Sequence, residues 1–336
     1  MTIPTARLGR TGLQVSRLAL GTMTFGLQTD EATSHRILDK ATGAGINFID
    51  IADIYPLGGT LDTIGRTEEI IGRWLRAKGA SARGDYILAT KAVGRTGPHA
   101  WNQGASRKHL LDAIDRSLAR LQTDHVDLYQ LHSDDRSTPL DETIEALDTI
   151  VKSGRARYVG VSNFLAYRLA KALGRADLQR LTRFVSVQPR YSLLFREIER
   201  ELMPLCDEEG LGVIPYNPLA GGLLTGKYES GSKPQENTRF TLGTAGGMYQ
   251  TRYWNERAFA TVSELQKLAG EAGLPLATLA VAWVMANPQV TAPLLGASKP
   301  EQLDATLAAA DYQLDPALKA RMDELTAEYR KGDSPR

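Results

Sequence analysis

Short apolar runs and amphipathic stretches alternate along this chain with a regular beat. Apolar runs, several of them rich in β-branched residues, occupy residues 17–21, 46–51, 86–91, 126–132, 158–162, 184–188, 212–216 and 292–296. Runs of this length and composition predict strands buried on both faces. Between them, apolar positions recur at helical spacing over residues 30–44, 67–78, 106–121, 139–152, 164–174, 197–209, 254–272 and 276–286. Helices over 299–310 and 315–330 are expected after the last strand. Ahead of the first strand, glycines punctuate apolar alternations in residues 7–16, which predicts a β-hairpin. A long glycine-rich connection, 217–250, follows the seventh strand. Strand–helix alternation predicts a parallel sheet. Eight such units suit an α/β protein built as a closed (β/α)8 TIM barrel. A doubly wound open sheet is the rival, and no Gly-x-Gly-x-x-Gly follows any of these strands to support it. The expectation is one barrel domain over residues 1–330, with a flexible tail over 331–336.

Composition narrows the partners. Lysine plus arginine (40) balances aspartate plus glutamate (39), so no global field attracts nucleic acid or an anionic membrane. No stretch approaches the roughly 18 apolar residues of a membrane span, and the start carries no apolar leader segment. A single cysteine, Cys206, excludes an internal disulfide framework and a cysteine-built zinc site. These features predict a cytoplasmic protein with no nucleic-acid or membrane partner. His132-Ser133-Asp134-Asp135 lacks a second clustered histidine, so no metal is expected there. His35, His99, His109 and His125 read as surface groups.

In a barrel of this type the active site gathers where the strands end. The predicted strand ends are Asp50, Lys91, His132, Ser162-Asn163, Gln188, Tyr216 and Gly296-Ala297-Ser298, and Tyr55 follows Asp50 by five residues. A lone buried carboxylate is costly unless a cation meets it. Lys91, at the end of the next strand, is the expected partner of Asp50. Proton transfer to a carbonyl is the chemistry this set suits. A tyrosine titrates near 10, and a nearby ammonium is expected to lower that value. His132 would donate to the same oxygen and polarise the carbonyl.

Several segments resemble the aldo-keto reductase superfamily. They are Phe48-Ile-Asp50-Ile-Ala-Asp-Ile-Tyr55, Ala89-Thr-Lys91, Leu131-His132, Gly160-Val-Ser-Asn-Phe164, Gln188 and Tyr216-Asn-Pro-Leu-Ala-Gly-Gly-Leu-Leu-Thr-Gly-Lys-Tyr228. The likeness runs from the hairpin to Gly296-Ala-Ser-Lys-Pro-Glu-Gln302, nearly the whole chain. It implies a (β/α)8 barrel and NADP(H)-linked interconversion of carbonyls and alcohols. By that resemblance the Asp–Tyr–Lys–His tetrad falls on Asp50, Tyr55, Lys91 and His132, with the tyrosine as acid. Ser162, Asn163 and Gln188 match residues that bind the nicotinamide carboxamide, and Tyr216 matches the aromatic stacked on its ring. Pro218, Leu219, Gly222 and Lys227 would line the cofactor beneath the long loop. Gly21, Thr22, Met23, Asp50, Gly296, Ser298, Lys299 and Gln302 are further implied cofactor contacts. The family often has arginine at the position of Ser298 and asparagine at that of Thr306; this chain departs at both. Lys299 would then meet the adenosine 2′-phosphate as a point charge.

Local chemistry adds detail. Ser298 and Glu301 are spaced as a capping box, with Pro300 in the first turn, and a helix start beside Lys299 suits a phosphate. Gly221-Gly-Leu-Leu-Thr-Gly226-Lys227 mimics a P-loop, but Tyr228 stands where a Ser or Thr must hold Mg²⁺. Phe25, Tyr55 and Trp101 are expected to line the pocket for a small carbonyl or alcohol substrate. Two alternatives stand beside carbonyl reduction: a non-catalytic NADPH-binding regulatory subunit, and an alcohol or sugar dehydrogenase working in the oxidative direction.

Overall fold

The computed structural model describes residues 3–330, so the tail expected at 331–336 lies outside the described residues. A hairpin, β1 (Thr5–Arg7) and β2 (Gln14–Ser16), precedes eight parallel strands. These are β3 (Ala19–Gly21), β4 (Phe48–Asp50), β5 (Ile87–Ala92), β6 (Val126–Leu131), β7 (Ala156–Ser162), β8 (Phe184–Gln188), β9 (Gly212–Val213) and β10 (Leu294–Gly296). From β3 to β9 each pairs with the next in chain order, and β10 returns to pair with β3. The remaining gap is bridged at Val213 and Val290, where Thr291 N–H donates to the Val213 carbonyl (2.8 Å) and Leu294 N–H to that of Pro215 (2.9 Å). The sheet is thus curled round as the expected (β/α)8 barrel.

The connecting helices are α1 (Glu31–Gly43), α2 (Arg66–Lys78), α3 (Arg107–Leu121), α4 (Leu140–Lys152), α5 (Ala166–Gln179) and α6 (Leu202–Glu209). Asp30 and Ser106 accept from the Thr33 and His109 N–H groups, which satisfies orphan donors at the starts of α1 and α3. The buried stripes of these helices meet the outer face of the sheet in the largest core cluster. There α5 outruns its expected end at 174, because Leu173 and Ala176 extend the same apolar face. The strand expected over 212–216 is cut to β9, since Pro215 has no N–H to offer the ladder. The helix expected over 299–310 is broken into a 3₁₀ turn (Pro300–Leu303), α10 (Asp304–Leu307) and another 3₁₀ turn (Ala308–Asp311). Thr306 donates its hydroxyl to the Leu303 carbonyl (3.0 Å) there, a local bond that competes with helix geometry.

Side chains alternate across each strand, and this divides the barrel interior into two storeys. Phe48, Ala89 and Leu128 belong to an apolar lower cluster with Ala19, Ile214 and Leu294, and the hairpin pushes Leu8 and Val15 into the same cluster. Two residues further along the same strands come Asp50, Lys91 and Gln130, all buried and all polar. The sequence therefore switches from apolar to polar inside one barrel, at one level.

The connection after β9 carries α7 (Gly246–Tyr253) and single 3₁₀ turns before α8 (Glu256–Glu271) and α9 (Leu276–Met285). Phe240, Tyr249 and Tyr253 anchor it to α8 and α9 in a second apolar cluster. The segment crosses the rim: Gln28 Nε2 donates to the Asn237 carbonyl (2.7 Å), and Thr244 N–H to that of Gly58 (3.4 Å). Gly58 has φ +83°, and a Cβ there would lie 2.9 Å from the Leu242 carbonyl oxygen, so the crossing requires glycine.

Candidate active site

Asp50 ends β4 and Lys91 lies next to last in β5, both facing the polar storey. Lys91 Nζ donates to Asp50 Oδ1 (2.5 Å) and to the Ile51 carbonyl (2.6 Å), and its side chain is fully buried. Burial pulls the Lys91 ammonium below its ordinary value, and the Asp50 charge opposes that pull. The other carboxylate oxygen, Oδ2, accepts from Gln188 Nε2 (2.7 Å) and Gln130 Nε2 (3.2 Å). A carboxylate this deep is tolerable only because both of its oxygens are met by donors.

Tyr55 sits over this pair. Its backbone is held by the Ala52 carbonyl (3.2 Å) and the Gly65 N–H (3.1 Å), and Lys91 Nζ lies 5.0 Å from its ring centre. Its ring meets the His132 imidazole edge-on at 5.6 Å. Burial, reinforced by the Asp50 charge, pushes the Tyr55 phenol well above 10, while Arg239 works in the opposite direction. The expected lowering by Lys91 does not occur, because the ammonium is already matched by Asp50 and the phenol is desolvated. His132 is pulled down to about 3, by burial first and the Lys91 charge second, so the ring is neutral. Its Nδ1 is sealed in without a partner, whereas Nε2 is not among the sealed, unpartnered atoms. A hydrogen on Nδ1 would be an orphaned buried donor, so the hydrogen is assigned to Nε2. Tyr55 and His132 thus offer two O–H and N–H donors beside a buried ammonium.

The expected carboxamide contacts form one hydrogen-bonded group. Ser162 Oγ donates to the Gln188 carbonyl (2.8 Å), Asn163 Nδ2 to the His132 carbonyl (2.9 Å), and Tyr216 OH to Asn163 Oδ1 (2.8 Å). Asn163 holds φ +57°, a conformation asparagine tolerates. Gln188 turns its NH2 inward to Asp50, which leaves Oε1 without a donor. The capacity left in this group is that of acceptors, which fits an amide NH2 from a nicotinamide.

Other expected residues are spread along the rim. Thr22 donates both its N–H (3.2 Å) and its hydroxyl (2.8 Å) to the Asp50 carbonyl, tying the β3 end, where Gly21 and Met23 flank it, to β4. Pro218, Leu219, Gly222 and Lys227 lie on the crossing segment; Gly222 has φ +98°, and Lys227 rests 5.0 Å from the Tyr228 ring centre. After β10 and Gly296, the Ser298–Glu301 capping box is not formed. Ser298 instead gives its N–H (2.8 Å) and hydroxyl (3.3 Å) to Gln302 Oε1, and Lys299 takes the cap position of the 3₁₀ turn. A single turn started by Pro300 does not need the longer box. Phe25 cannot line a pocket: it is fully buried in the main core beneath α2. Trp101 is about half exposed and stacks on His99 (4.6 Å, 8°) at the tip of the β5–α3 loop. That loop leaves β5 through Val93, whose φ of +108° is strained for a β-branched residue. His109 is buried on the inner face of α3 rather than at the surface.

Two residues escape the motif-based expectations. Gln130 lies inside β6, two positions before His132 and therefore on the same face; that spacing was the available signal. Arg239 lies on the crossing segment, in a stretch with no periodicity to betray it. Its Nη1 is buried without a partner, and its guanidinium stands over the Tyr249 ring and beside Gly296. An orphaned cation at a strand end suits a phosphate oxygen.

Known proteins resemble this chain over most of its length. The family described as "Aldo/keto reductase family" matches residues 17–327. An uncharacterized oxidoreductase, YrpG, of Bacillus subtilis is 43% identical over 323 residues, covering 95% of this chain and 94% of its own. A probable voltage-gated potassium channel subunit beta of Arabidopsis thaliana is 36% identical, covering 90% of each chain. An L-glyceraldehyde 3-phosphate reductase of Escherichia coli is 34% identical, covering 88% and 84%.

Proposed function

The chain belongs to the aldo/keto reductase family, and we propose that it is an NADP(H)-dependent oxidoreductase that reduces an aldehyde or ketone carbonyl to the alcohol, with Tyr55 as the general acid. The observation that carries this reading is the pairing of Tyr55 and His132 above the buried Asp50–Lys91 pair. NADPH, when bound, supplies the hydride. Gln188, Ser162 and Asn163 would hold its carboxamide, Tyr216 its ring, Arg239 its diphosphate, and Lys299 the 2′-phosphate. His132 Nε2–H fixes the substrate carbonyl oxygen and polarises it. Tyr55 O–H then gives its proton to that oxygen as negative charge develops, and recovers one from solvent. Lys91 stands beside the phenolate left behind, while Asp50 keeps the ammonium charged and aimed.

The test is NADPH consumption against a panel of aldehydes, ketones and sugars, with NADH in parallel. Turnover of a carbonyl substrate with NADPH preferred is the expected result. Tight NADPH binding with no turnover of any substrate would favour a regulatory subunit instead. Efficient NADP⁺-dependent oxidation of alcohols with weak reduction would favour the oxidative direction.

A further inference from the structure

Gln130, in the polar storey of the barrel, has no role in the reaction just described. Gln130 is completely buried, and β6 registers it against Lys91 of β5 on one side and Gly160 of β7 on the other. Its amide reaches two strands either way: Nε2 donates to Asp50 Oδ2 on β4 (3.2 Å), and Oε1 accepts from Gln188 Nε2 on β8 (3.5 Å). The span is open because β7 contributes no side chain there. A Cβ on Gly160 would lie 2.5 Å from Ser186 Oγ and 3.3 Å from Gln130 Cγ. A glycine in mid-strand weakens a sheet, and here it marks a close approach.

The chemistry of the chain of amides fixes its direction. The two ends of an amide are nearly identical in shape, so its orientation has to come from its partners. Asp50, paired with Lys91, is a carboxylate and can only accept. Both glutamines must therefore point NH2 groups at it. Gln130 then has only its carbonyl oxygen left for Gln188, so two acceptors converge on the Gln188 NH2. The Gln188 side-chain oxygen, Oε1, is what remains, and no described residue donates to it. Unlike Ser186 Oγ or His132 Nδ1 nearby, it is not among the buried atoms sealed off without a partner.

We propose that Gln130 is a positioning residue which, with Asp50, sets the polarity of the Gln188 amide, so that the cofactor site presents a carbonyl oxygen and selects a pyridine ring carrying an NH2 donor. Asp50 thereby has a second duty, unrelated to proton transfer. The ion pair beneath the phenol also dictates which end of an amide the cofactor meets. The inference rests on the reading of this site as a nicotinamide site.

The experiment compares equilibrium dissociation constants, by fluorescence titration without substrate, for NADPH and for the reduced 3-acetylpyridine analogue of NADP. In the analogue a methyl replaces the carboxamide NH2 and the ring carbonyl is kept. The parent protein is expected to favour NADPH by about tenfold, the worth of one hydrogen bond made and one acceptor left unpaired. Asp50→Asn offers an amide that can present either end, and the preference should fall to within about twofold. Gln130→Leu removes one of the two acceptors holding the Gln188 NH2, and the preference should fall by about threefold or more. Gln130→Met, which keeps the chain length, should behave likewise if leucine disturbs folding. The ratio of two dissociation constants cancels any general loss of affinity that a purely structural defect would cause. An unchanged ratio in Gln130→Leu and Gln130→Met overturns the role of Gln130. Equal affinity of the parent for both cofactors overturns the polarity itself. Failure of the parent to bind either one would instead remove the nicotinamide assignment on which the inference rests.

Discussion

A phenol held protonated by burial gives up its proton only to a base stronger than itself. An alkoxide forming under hydride attack is such a base, so in the proposed reaction the raised Tyr55 value keeps the acid loaded at neutral pH and lets the substrate oxygen pull the proton away. Tyr55→Phe should therefore lower carbonyl reduction by about 10²- to 10⁴-fold. The NADPH dissociation constant should stay within about threefold; steady-state kinetics and fluorescence titration check the two halves. His132 makes a different demand. Its folded value of about 3 lies below the ordinary 6.5, so the unfolded chain binds the extra proton first as pH falls. The stability this contributes is complete above about pH 6.5 and drains away between there and about pH 3, at up to about 1.4 kcal/mol per pH unit. His132→Asn should flatten the pH dependence of the thermal midpoint across that window. An equally steep fall in the variant would show that other groups govern it. At this scale the sequence showed which residues would meet, since strand ends carry their chemistry visibly. It did not show the sign of the Tyr55 shift, because desolvation depends on what lies over a residue and not on its neighbours in the chain.

Among elements, the turn after β10 carries Lys299 and the segment crossing the rim carries Arg239, and neither has a carboxylate partner among the described residues. Both are proposed anchors for phosphate groups, and they differ in which phosphate. Lys299→Ala should weaken NADPH binding by about tenfold and leave NADH nearly unchanged, whereas Arg239→Met should weaken both to a similar degree. Equal losses for the two cofactors in Lys299→Ala would remove it from the 2′-phosphate. The strands and main helices were legible to within a few residues because their apolar periodicity is strong. The Ser298 region was not, since a capping pattern looks the same whether it opens a long helix or a single turn. Phe25 misled for a related reason: it follows a strand end closely, but the chain doubles back at once, with Phe25 N–H bonded to the Thr22 carbonyl (3.0 Å). The ring is then driven into the core.

For the molecule as a whole, stability and chemistry are placed at opposite ends of one barrel. Leu8, from the hairpin, fills the lower storey and is fully buried. Leu8→Ala should cost about 2–5 kcal/mol of stability and leave kcat within about twofold, as judged by denaturant unfolding beside steady-state rates. A large fall in kcat with unchanged stability would mean that the two storeys are coupled. The eightfold alternation, with no Gly-x-Gly-x-x-Gly after any of the strands to favour an open sheet, made this architecture readable. The division of the interior into storeys was only half readable: Asp50 and Lys91 announce the polar level, but the hairpin's intrusion from below has no sequence signature beyond two apolar residues.

That lower storey has a consequence for the traffic of protons. Phe48, Ala89, Leu128, Leu8 and Val15 form a dry floor, and a chain of water molecules cannot be threaded through packed hydrocarbon. In the proposed reaction, every proton that Tyr55 surrenders is therefore restored from above, by the route through which the alcohol departs. On that reading, one face of the barrel serves both the exchange of substrate and the return of the proton.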